Sequence, residues 1–285
     1  MYNLWDIDDI KLILKKHGFS FSKALGQNFI VDGGICPAIA REAALSKEDY
    51  VLEIGPGIGV LTAELCARAG KVVAVELDTR LPEILADTLA DFDNFELVEG
   101  DILKLDLVQL FAEHFSGARK VKVCANLPYY ITSPVIMALL ESDLPLESIT
   151  VMVQKEAGER LCAAVGTKQA GAVTAAVNYY AQAKELFFVP KESFLPSPKV
   201  DSEVIQLQVR EAPPVAVADE TLFFKVIKAA FLQRRKAAAN SLSAGLGMPK
   251  AEVIAMLESL GFEPSIRAEK FTMEDFASIT AYLQQ

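Results

Sequence analysis

A glycine-rich turn follows the first strongly apolar segment that could form a buried strand. Val51–Ile54 is this segment, and Gly55, Gly57 and Gly59 come directly after it. Glycine tolerates positive φ and lets a ligand approach the backbone closely, as a nucleotide-binding turn between a strand and a helix requires. The spacing is one residue short of the dinucleotide pattern G-x-G-x-x-G, which disfavours a nicotinamide dehydrogenase. The alternative is a tight strand-to-helix connection that binds nothing.

Acidic side chains stand at the ends of the next two predicted strands. Glu76 follows Val72–Val75, and Asp101 comes shortly after Phe95–Val98. A carboxylate at the end of the second strand can accept hydrogen bonds from both hydroxyls of a ribose. Asp101 could accept one from an adenine amino group, although Gly-Asp is also common in ordinary turns. Together with the glycine turn, these two acids predict a pocket for an adenosine moiety.

The fourth predicted strand, Val121–Ala125, runs into Asn126-Leu127-Pro128-Tyr129. The side-chain oxygen of Asn126 and the carbonyl of Leu127 could accept hydrogen bonds from an exocyclic amine, which would orient that amine for methylation. Pro128 would fix the turn, and Tyr129 could stack on an extruded base. A turn that merely caps the strand is the alternative. Its position after the glycine turn and Glu76 favours the catalytic interpretation.

Apolar runs of strand length alternate with helical stretches and so predict the architecture. Two further runs, Ser148–Val153 and Val204–Val209, complete a set of six. Continuous apolar strands are typical of a sheet that helices cover on both faces. We therefore predict an α/β fold with a doubly wound, mostly parallel sheet.

Helices are predicted at the N-terminus and after the last strand. An amphipathic helix is expected over 6–17 at the N-terminus, and helices are expected over 223–239, 250–260 and 273–283. The Pro213-Pro214 pair breaks regular structure after the last strand, so the predicted boundary separates a domain of residues 1–211 from a small helical domain of residues 212–285.

The composition excludes several classes of protein. The 285 residues carry a net charge of −10, yet no acidic residue stands between Glu220 and Glu252, where several basic ones do. A polyanion would therefore bind to a local patch. No apolar stretch has the length of a membrane span, the four cysteines have no metal-site spacing, and the acidic N-terminus does not look like a targeting peptide. We expect a cytoplasmic protein with no metal site and no membrane partner.

Six motifs in order resemble those of the ribosomal RNA adenine N6-dimethyltransferases of the KsgA/RsmA type. The matching segments are Leu25–Phe29, Glu53–Gly59, Asn126–Pro134, Val153–Glu156, Phe194–Ser202 and Phe231–Lys236. The resemblance implies a Rossmann-like class I methyltransferase that uses S-adenosylmethionine. It would dimethylate N6 of two adjacent adenines near the 3′ end of 16S rRNA and contribute to small-subunit biogenesis. The implied partner is this rRNA or an assembly intermediate of the small subunit, and the implied state is a monomer.

The resemblance also implies roles for individual residues. Asn28 and the backbone of Ile30 would contact the cofactor, and Phe194 would face Tyr129 across the base pocket. The rest of the cofactor pocket would consist of Gly55, Gly57, Glu76, Asp101 and Asn126. The catalytic set would be Asn126, Leu127, Pro128, Tyr129 and Phe194, and RNA would contact Arg234, Arg235 and Lys236.

Two related interpretations stay open. One is an Erm-type enzyme that methylates an adenine of large-subunit rRNA, and the other is an assembly factor that has lost catalysis. The chain also departs from the family pattern, since Ala170 stands where the family usually has tyrosine. This difference leaves the contribution of that loop to RNA binding undetermined.

Overall fold

A seven-stranded sheet forms the centre of the fold. The computed structural model describes residues 2–22, 25–233 and 235–285. In chain order the strands are β1 (Phe29–Ile30), β2 (Tyr50–Ile54), β3 (Lys71–Glu76), β4 (Phe95–Glu99), β5 (Val121–Asn126), β6 (Leu146–Gln154), β7 (Ala181–Val189), β8 (Phe194–Leu195) and β9 (Ser202–Val209). The large sheet has the order β4-β3-β2-β5-β6-β9-β7, and β1 pairs with β8 in a separate two-stranded sheet. This arrangement confirms the predicted fold class.

The pairing is mostly parallel. Strands β4, β3, β2, β5 and β6 are parallel to one another, whereas β9 runs antiparallel to β6. Parallel strands need crossover connections, and the helices between them supply these connections. All six strands predicted from apolar runs are present, each within two residues of its predicted ends.

Twelve α-helices are described. They are α1 (Ile7–Lys16), α2 (Ile35–Glu42), α3 (Val60–Arg68), α4 (Pro82–Thr88), α5 (Leu107–His114), α6 (Thr132–Leu140), α7 (Lys155–Cys162), α8 (Ala172–Tyr180), α9 (Glu220–Ala230), α10 (Ala238–Leu246), α11 (Lys250–Ser259) and α12 (Met273–Leu283). The carboxylate of Asp6 accepts hydrogen bonds from two backbone N–H groups and so begins α1. None of the described helices is long and apolar enough to cross a membrane.

One predicted helix is wrong. The segment 223–239 does not form one helix, because α9 ends at Ala230 and α10 begins at Ala238. The two helices contact each other closely: a Cβ on Gly245 would lie 2.5 Å from that of Ala229. A continuous helix would separate these positions, so this tertiary contact overrides the helix propensity of the alanine-rich sequence.

The chain divides into two compact units. The first comprises residues 1–158 and 184–209, and the second comprises residues 159–183 and 210–285. The first unit has an apolar core around the parallel sheet, and the second has its own core around Phe223, Phe271 and Phe276. The second unit thus includes α8, which the predicted division at residue 212 assigned to the first domain. The predicted division therefore differs from the compact units for residues 159–183 and 210–211.

Candidate active site

The ends of four parallel strands and a segment near the N-terminus enclose a cavity within the first unit. Its lining residues fall into six groups, which are Leu25–Ile30, Glu53–Ile58 with Val60 and Leu61, Val75–Leu77 with Leu81, Gly100–Ile102, Asn126–Ile131, and Phe194. Every residue that the sequence assigned to catalysis or to the cofactor lines this cavity. The structure therefore brings together residues that are separated by more than 160 positions.

The strand register places three of these residues at one level. Ile54 pairs with Val75 on one side and with Ala125 on the other. Gly55 follows Ile54, Glu76 follows Val75 and Asn126 follows Ala125. These three residues therefore lie side by side at the carboxyl ends of β2, β3 and β5. Parallel pairing thereby converts three distant motifs into one site.

The glycine turn adopts the conformation that its sequence predicted. Gly55, Gly57 and Gly59 have φ angles of 70°, 60° and 92°, which residues other than glycine rarely adopt. A Cβ on Gly57 would also lie 3.2 Å from the ring of Phe29. The turn therefore needs glycine both for its backbone angles and for the close packing of the N-terminal segment.

Glu76 is a buried carboxylate with two backbone donors. Its side chain is 7 % exposed, and it accepts hydrogen bonds from the N–H of Asp78 at 2.8 Å and from that of Gly57 at 3.3 Å. Burial raises the pKa of Glu76, and the two backbone N–H groups oppose this effect. A carboxylate offers about four lone-pair sites, so acceptor capacity remains for the hydroxyls of a ligand.

Asp101 lies after β4 on the same side of the cavity. Its carboxylate accepts a hydrogen bond from the N–H of Leu103 at 3.1 Å and pairs with the ammonium of Lys104 at 3.3 Å. These contacts are those of an ordinary Asx turn. Its position in the cavity lining agrees with the predicted contact to a base, which remains a prediction.

Asn126 is oriented by the N-terminal segment. Its side-chain nitrogen donates a hydrogen bond to the carbonyl of Asn28 at 3.3 Å. Because the nitrogen is the donor, the side-chain oxygen is the end that can accept from a ligand. The side chain of Asn28 donates to the carbonyl of Gly26 at 3.0 Å and so holds this segment in a compact turn.

The residues after Asn126 form a turn at the mouth of the cavity. The N–H of Leu127 donates to the carbonyl of Met152 at 3.3 Å, and that of Ile131 donates to the carbonyl of Pro128 at 3.1 Å. The hydroxyl of Tyr129 lies 2.8 Å from that of Ser202, which restrains the ring. Burial raises the pKa of Tyr129, so the phenol is neutral at pH 7. The next residue, Tyr130, is 58 % exposed.

Phe194 reaches the cavity through the small sheet. It pairs with Ile30 in the β1–β8 ladder and is almost completely buried. Ile30 also lines the cavity. The N–H of Val31 donates to the carbonyl of Ser193 at 2.9 Å, so Ile30 and Phe194 form a non-hydrogen-bonded pair of the antiparallel ladder. Phe194 and Tyr129 both belong to the lining, as the proposed pair of aromatic walls requires.

Several residues of the site were not found from sequence. Gln27 and Glu53 line the cavity, and Ser202 contacts the lining residue Tyr129. The residues that they contact are distant in the chain. Glu53 is the one with a visible signal, since it is the acid that begins the E-x-G-x-G-x-G turn. It is 1 % exposed, and burial, together with the nearby charge of Glu76, raises its pKa to about 8.

The predicted RNA contacts belong to the second unit. Arg235 and Lys236 are exposed and lie in the connection between α9 and α10 rather than on a helix. Arg234 lies outside the described residues. Ala170 is buried at the start of the α8 region, so this position presents no aromatic ring to a ligand.

Metal binding finds no support in the described part of the chain. No group of three or more His, Cys, Asp or Glu side chains there is arranged to hold a metal ion. Cys36, Cys66 and Cys124 are buried free thiols. Burial raises the pKa of the Cys66 thiol to about 12, so it is not a reactive thiolate.

A comparison with protein families gives a match over nearly the whole chain. Residues 18–285 match the family described as "Ribosomal RNA adenine dimethylase". The chain is 48 % identical over 273 residues to the "Ribosomal RNA small subunit methyltransferase A" of Geobacillus thermodenitrificans, covering 95 % of this chain and 93 % of that protein. The protein with the same description from Bacillus mycoides is 45 % identical, with 95 % and 94 % covered.

Solved structures give a consistent result. A dimethyladenosine transferase from Plasmodium falciparum superimposes with a TM-score of 0.73 at 25 % identity, covering 90 % of this chain and 97 % of that one. The 23S rRNA methyltransferase ErmE superimposes with a TM-score of 0.68 at 26 % identity, covering 90 % and 100 %. Both likenesses extend beyond the parallel sheet into the C-terminal part of the chain.

Replacing the buried acid Glu53 tests its protonation directly. The folded protein keeps this proton up to a pH of about 8, whereas a model carboxyl loses it near 4.5. Between these values the unfolded state binds fewer protons, so the free energy of unfolding should fall as pH rises, by up to about 1.4 kcal/mol per pH unit. Glu53→Gln should remove this slope and be more stable than the native chain above pH 8, as measured by denaturant unfolding at several pH values. The exposed Glu48→Gln serves as the control; an unchanged slope in Glu53→Gln would show that Glu53 is ionised in the fold.

Proposed function

The chain belongs to the ribosomal RNA adenine dimethylase family, and we propose that it transfers methyl groups from S-adenosylmethionine to N6 of two adjacent adenines near the 3′ end of 16S rRNA. One observation carries this proposal. Gly55, Glu76 and Asn126 lie side by side at one edge of the sheet, and the side-chain oxygen of Asn126 is available as an acceptor. A nucleotide-binding turn and an acceptor for an amine thus open into the same cavity.

The small subunit is favoured over the large one by sequence similarity. Relatives described as small-subunit methyltransferases are 45–48 % identical over 95 % of the chain, whereas ErmE is 26 % identical. The complete set of cavity residues also disfavours an assembly factor without catalysis. We infer that the partner is 16S rRNA within a small-subunit assembly intermediate, that the protein acts as a monomer, and that the reaction takes place in the cytoplasm.

The residues of the cavity fit the proposed cofactor. The glycine turn lets the backbone approach a ligand closely, and Glu76 has acceptor capacity for ribose hydroxyls. Asp101 lies at the next strand end, where it would bind the adenine amine. Asn28, Ile30, Gly55, Gly57 and Asn126 complete the proposed cofactor set. Family membership implies the use of S-adenosylmethionine, which supplies a sulfonium-bound methyl group when it is bound.

The protein's part in catalysis would be to orient the target amine. The lone pair of an exocyclic adenine amine is delocalised into the ring, so the amine is a poor nucleophile. Acceptors at Asn126 and at the Leu127 carbonyl would bind its hydrogens and favour a tetrahedral nitrogen. Pro128 holds the turn, and Tyr129 and Phe194 would clamp the base. Because the amine becomes acidic only after methylation, no strong base is needed, and orientation supplies most of the acceleration.

The exposed basic residues of the second unit would bind rRNA. Arg235 and Lys236 lie in the stretch between Glu220 and Glu252 that contains no acid. Basic side chains on such a surface bind phosphates and set the register of the RNA without reading its sequence. We propose that Arg234 belongs to the same surface on the basis of sequence alone.

Mapping the methylated nucleotides tests the proposal. Purified protein would be incubated with labelled S-adenosylmethionine and undermethylated small ribosomal subunits, with large-subunit RNA in a parallel reaction. We expect dimethylation at N6 of two adjacent adenines near the 3′ end of 16S rRNA. Label on a single large-subunit adenine would instead establish the Erm-type activity. Binding of the cofactor without transfer to either RNA would refute the proposed reaction.

Truncating Asn126 should affect turnover far more than binding. Loss of one preorganised hydrogen-bond donor of an oxyanion hole typically lowers kcat by about 100- to 1000-fold, and we take the same range for this acceptor. We expect Asn126→Ala to show a loss of this size, measured at saturating RNA, with little change in RNA affinity. Asn126→Asp keeps the acceptor oxygen but loses the donor to Asn28, so its activity should be intermediate. Near-normal turnover of Asn126→Ala would show that the residue does not orient the amine.

Removing the basic pair should weaken RNA binding in a salt-dependent way. The double variant Arg235→Ala/Lys236→Ala should bind the small-subunit RNA more weakly, and the slope of log affinity against log salt should decrease by about 2. Binding of the cofactor should not change. The double variant Lys11→Ala/Arg41→Ala removes the same charge from exposed positions of the first unit. If both double variants weaken RNA binding equally, net charge rather than the proposed surface is responsible.

A further inference from the structure

We propose that Asp78, held by Arg80, is a positioning residue that assembles the cofactor site by joining the N-terminal segment Leu25–Ile30 to the ribose-binding carboxylate Glu76. This inference rests on the proposed cofactor site. Asp78 and Arg80 are not among the described residues that line the cavity. Both would therefore act through the lining residues that they contact.

Asp78 contacts both walls of the cavity at once. Its backbone N–H donates to Glu76 at 2.8 Å, and its carboxylate accepts a hydrogen bond from the side chain of Gln27 at 2.7 Å. Asp78 is only 6 % exposed. One buried residue thus connects the end of β3 to a segment 51 positions earlier in the chain.

Arg80 holds this carboxylate in place by a two-point contact. Its Nε donates to one oxygen of Asp78 at 2.8 Å, and a terminal nitrogen donates to the other at 2.5 Å. Such a planar pair fixes the direction of the carboxylate as well as its charge. Arg80 is the main reason that the pKa of Asp78 is lowered, so Asp78 is ionised although Glu76 is close.

Arg80 also binds the chain before Gln27. Its other terminal nitrogen donates to the carbonyl of Ser20 at 3.1 Å, and its guanidinium lies 4.6 Å from the centre of the Phe19 ring. The side-chain oxygen of Gln27 accepts from the N–H of Ser22 at 2.9 Å. Asp78 therefore contacts the N-terminal segment through Gln27, and Arg80 contacts Phe19 and Ser20, which precede that segment.

The two residues that follow Gln27 contact other parts of the proposed site. The carbonyl of Asn28 orients Asn126, and the ring of Phe29 packs over Gly57 in the glycine turn. If Gln27 moved, both contacts would loosen, although every cavity-lining residue would still be present. We therefore expect loss of the Asp78–Arg80 pair to weaken cofactor binding most, and to lower turnover only as far as loss of the Asn28–Asn126 contact does.

The test measures cofactor binding separately from turnover. We would titrate S-adenosylhomocysteine into native protein and into Asp78→Asn, Arg80→Met, Arg80→Lys and Gln27→Ala, using calorimetry. We expect Kd to rise by about 10- to 100-fold in Asp78→Asn and Arg80→Met, the range for a hydrogen bond to a charged group. Arg80→Lys should recover part of the loss, because it restores the charge but not the two-point contact. The kcat at saturating cofactor should fall no further than in Asn126→Asp, since both changes loosen the Asn28–Asn126 contact but leave an acceptor oxygen at position 126.

Hydrogen exchange gives a readout that does not depend on any ligand. In cofactor-free Asp78→Asn, the amides of residues 25–30 should exchange faster, while those of β2 and β5 should not change. The matched control is Arg68→Met, which breaks the Arg68–Glu64 ion pair on α3 in the same unit. This control should alter neither Kd nor exchange over residues 25–30.

The possible outcomes separate this inference from the proposed function. If native protein neither binds S-adenosylhomocysteine nor transfers methyl groups, the proposed function fails. If native protein does both and the variants bind as tightly as Arg68→Met, only the positioning role fails. A loss of unfolding free energy with unchanged Kd in the folded variants would likewise make the pair purely structural. Should Asp78→Asn fail to fold, Arg80→Lys and Gln27→Ala decide the question by the same criteria.

Discussion

The parallel pairing of β2 with both β3 and β5 is the constraint on which the site depends. Ile54 lies opposite Val75 and Ala125, so the next residues of the three strands emerge together. A slip of one residue in either pairing would turn the side chain of Glu76 or Asn126 to the other face of the sheet. Val51, Val73 and Val123 are fully buried, and this apolar core fixes the register. Packing of the sheet interior therefore determines the chemistry at its edge.

The sheet alone leaves the cavity open on one side, and the N-terminal segment closes it. This segment contributes a carbonyl for Asn126, a ring over Gly57 and a strand for Phe194. Each of these contacts joins residues far apart in the chain, so the segment has no arrangement of its own that local sequence could specify. It also leaves the side-chain oxygen of Asn126 free to serve as an acceptor, because the nitrogen is engaged.

Sequence patterns predicted the elements that are buried on both faces and the residues at their ends. Five of the six apolar runs became strands that bury a continuous segment. The sixth, β4, is an edge strand whose residues Phe95–Val98 are half-buried. Strand β7 was missed because its exposed positions, such as Lys184 and Glu185, interrupt the apolar pattern at the edge of the sheet. Strands β1 and β8 have two residues each and exist only through their mutual pairing. The break between α9 and α10 likewise depends on a tertiary contact, at Gly245 and Ala229. For the same reason, Gln27 and Ser202 could not be assigned without knowledge of their partners.

Three carboxyl groups near the cavity illustrate how the fold tolerates buried acidic side chains. Glu53, Glu76 and Asp78 are all less than 10 % exposed, and three ionised groups so close together would repel one another strongly in a medium of low polarity. Each is accommodated differently. The guanidinium of Arg80 stabilises the ionised carboxylate of Asp78. Glu76 accepts hydrogen bonds from two backbone N–H groups, and Glu53 keeps its proton at pH 7. Glu76 therefore lines the cavity with its oxygens held by backbone N–H groups. That arrangement suits a carboxylate whose task is to accept hydrogen bonds, because a full counter-ion would compete with the ligand for its oxygens.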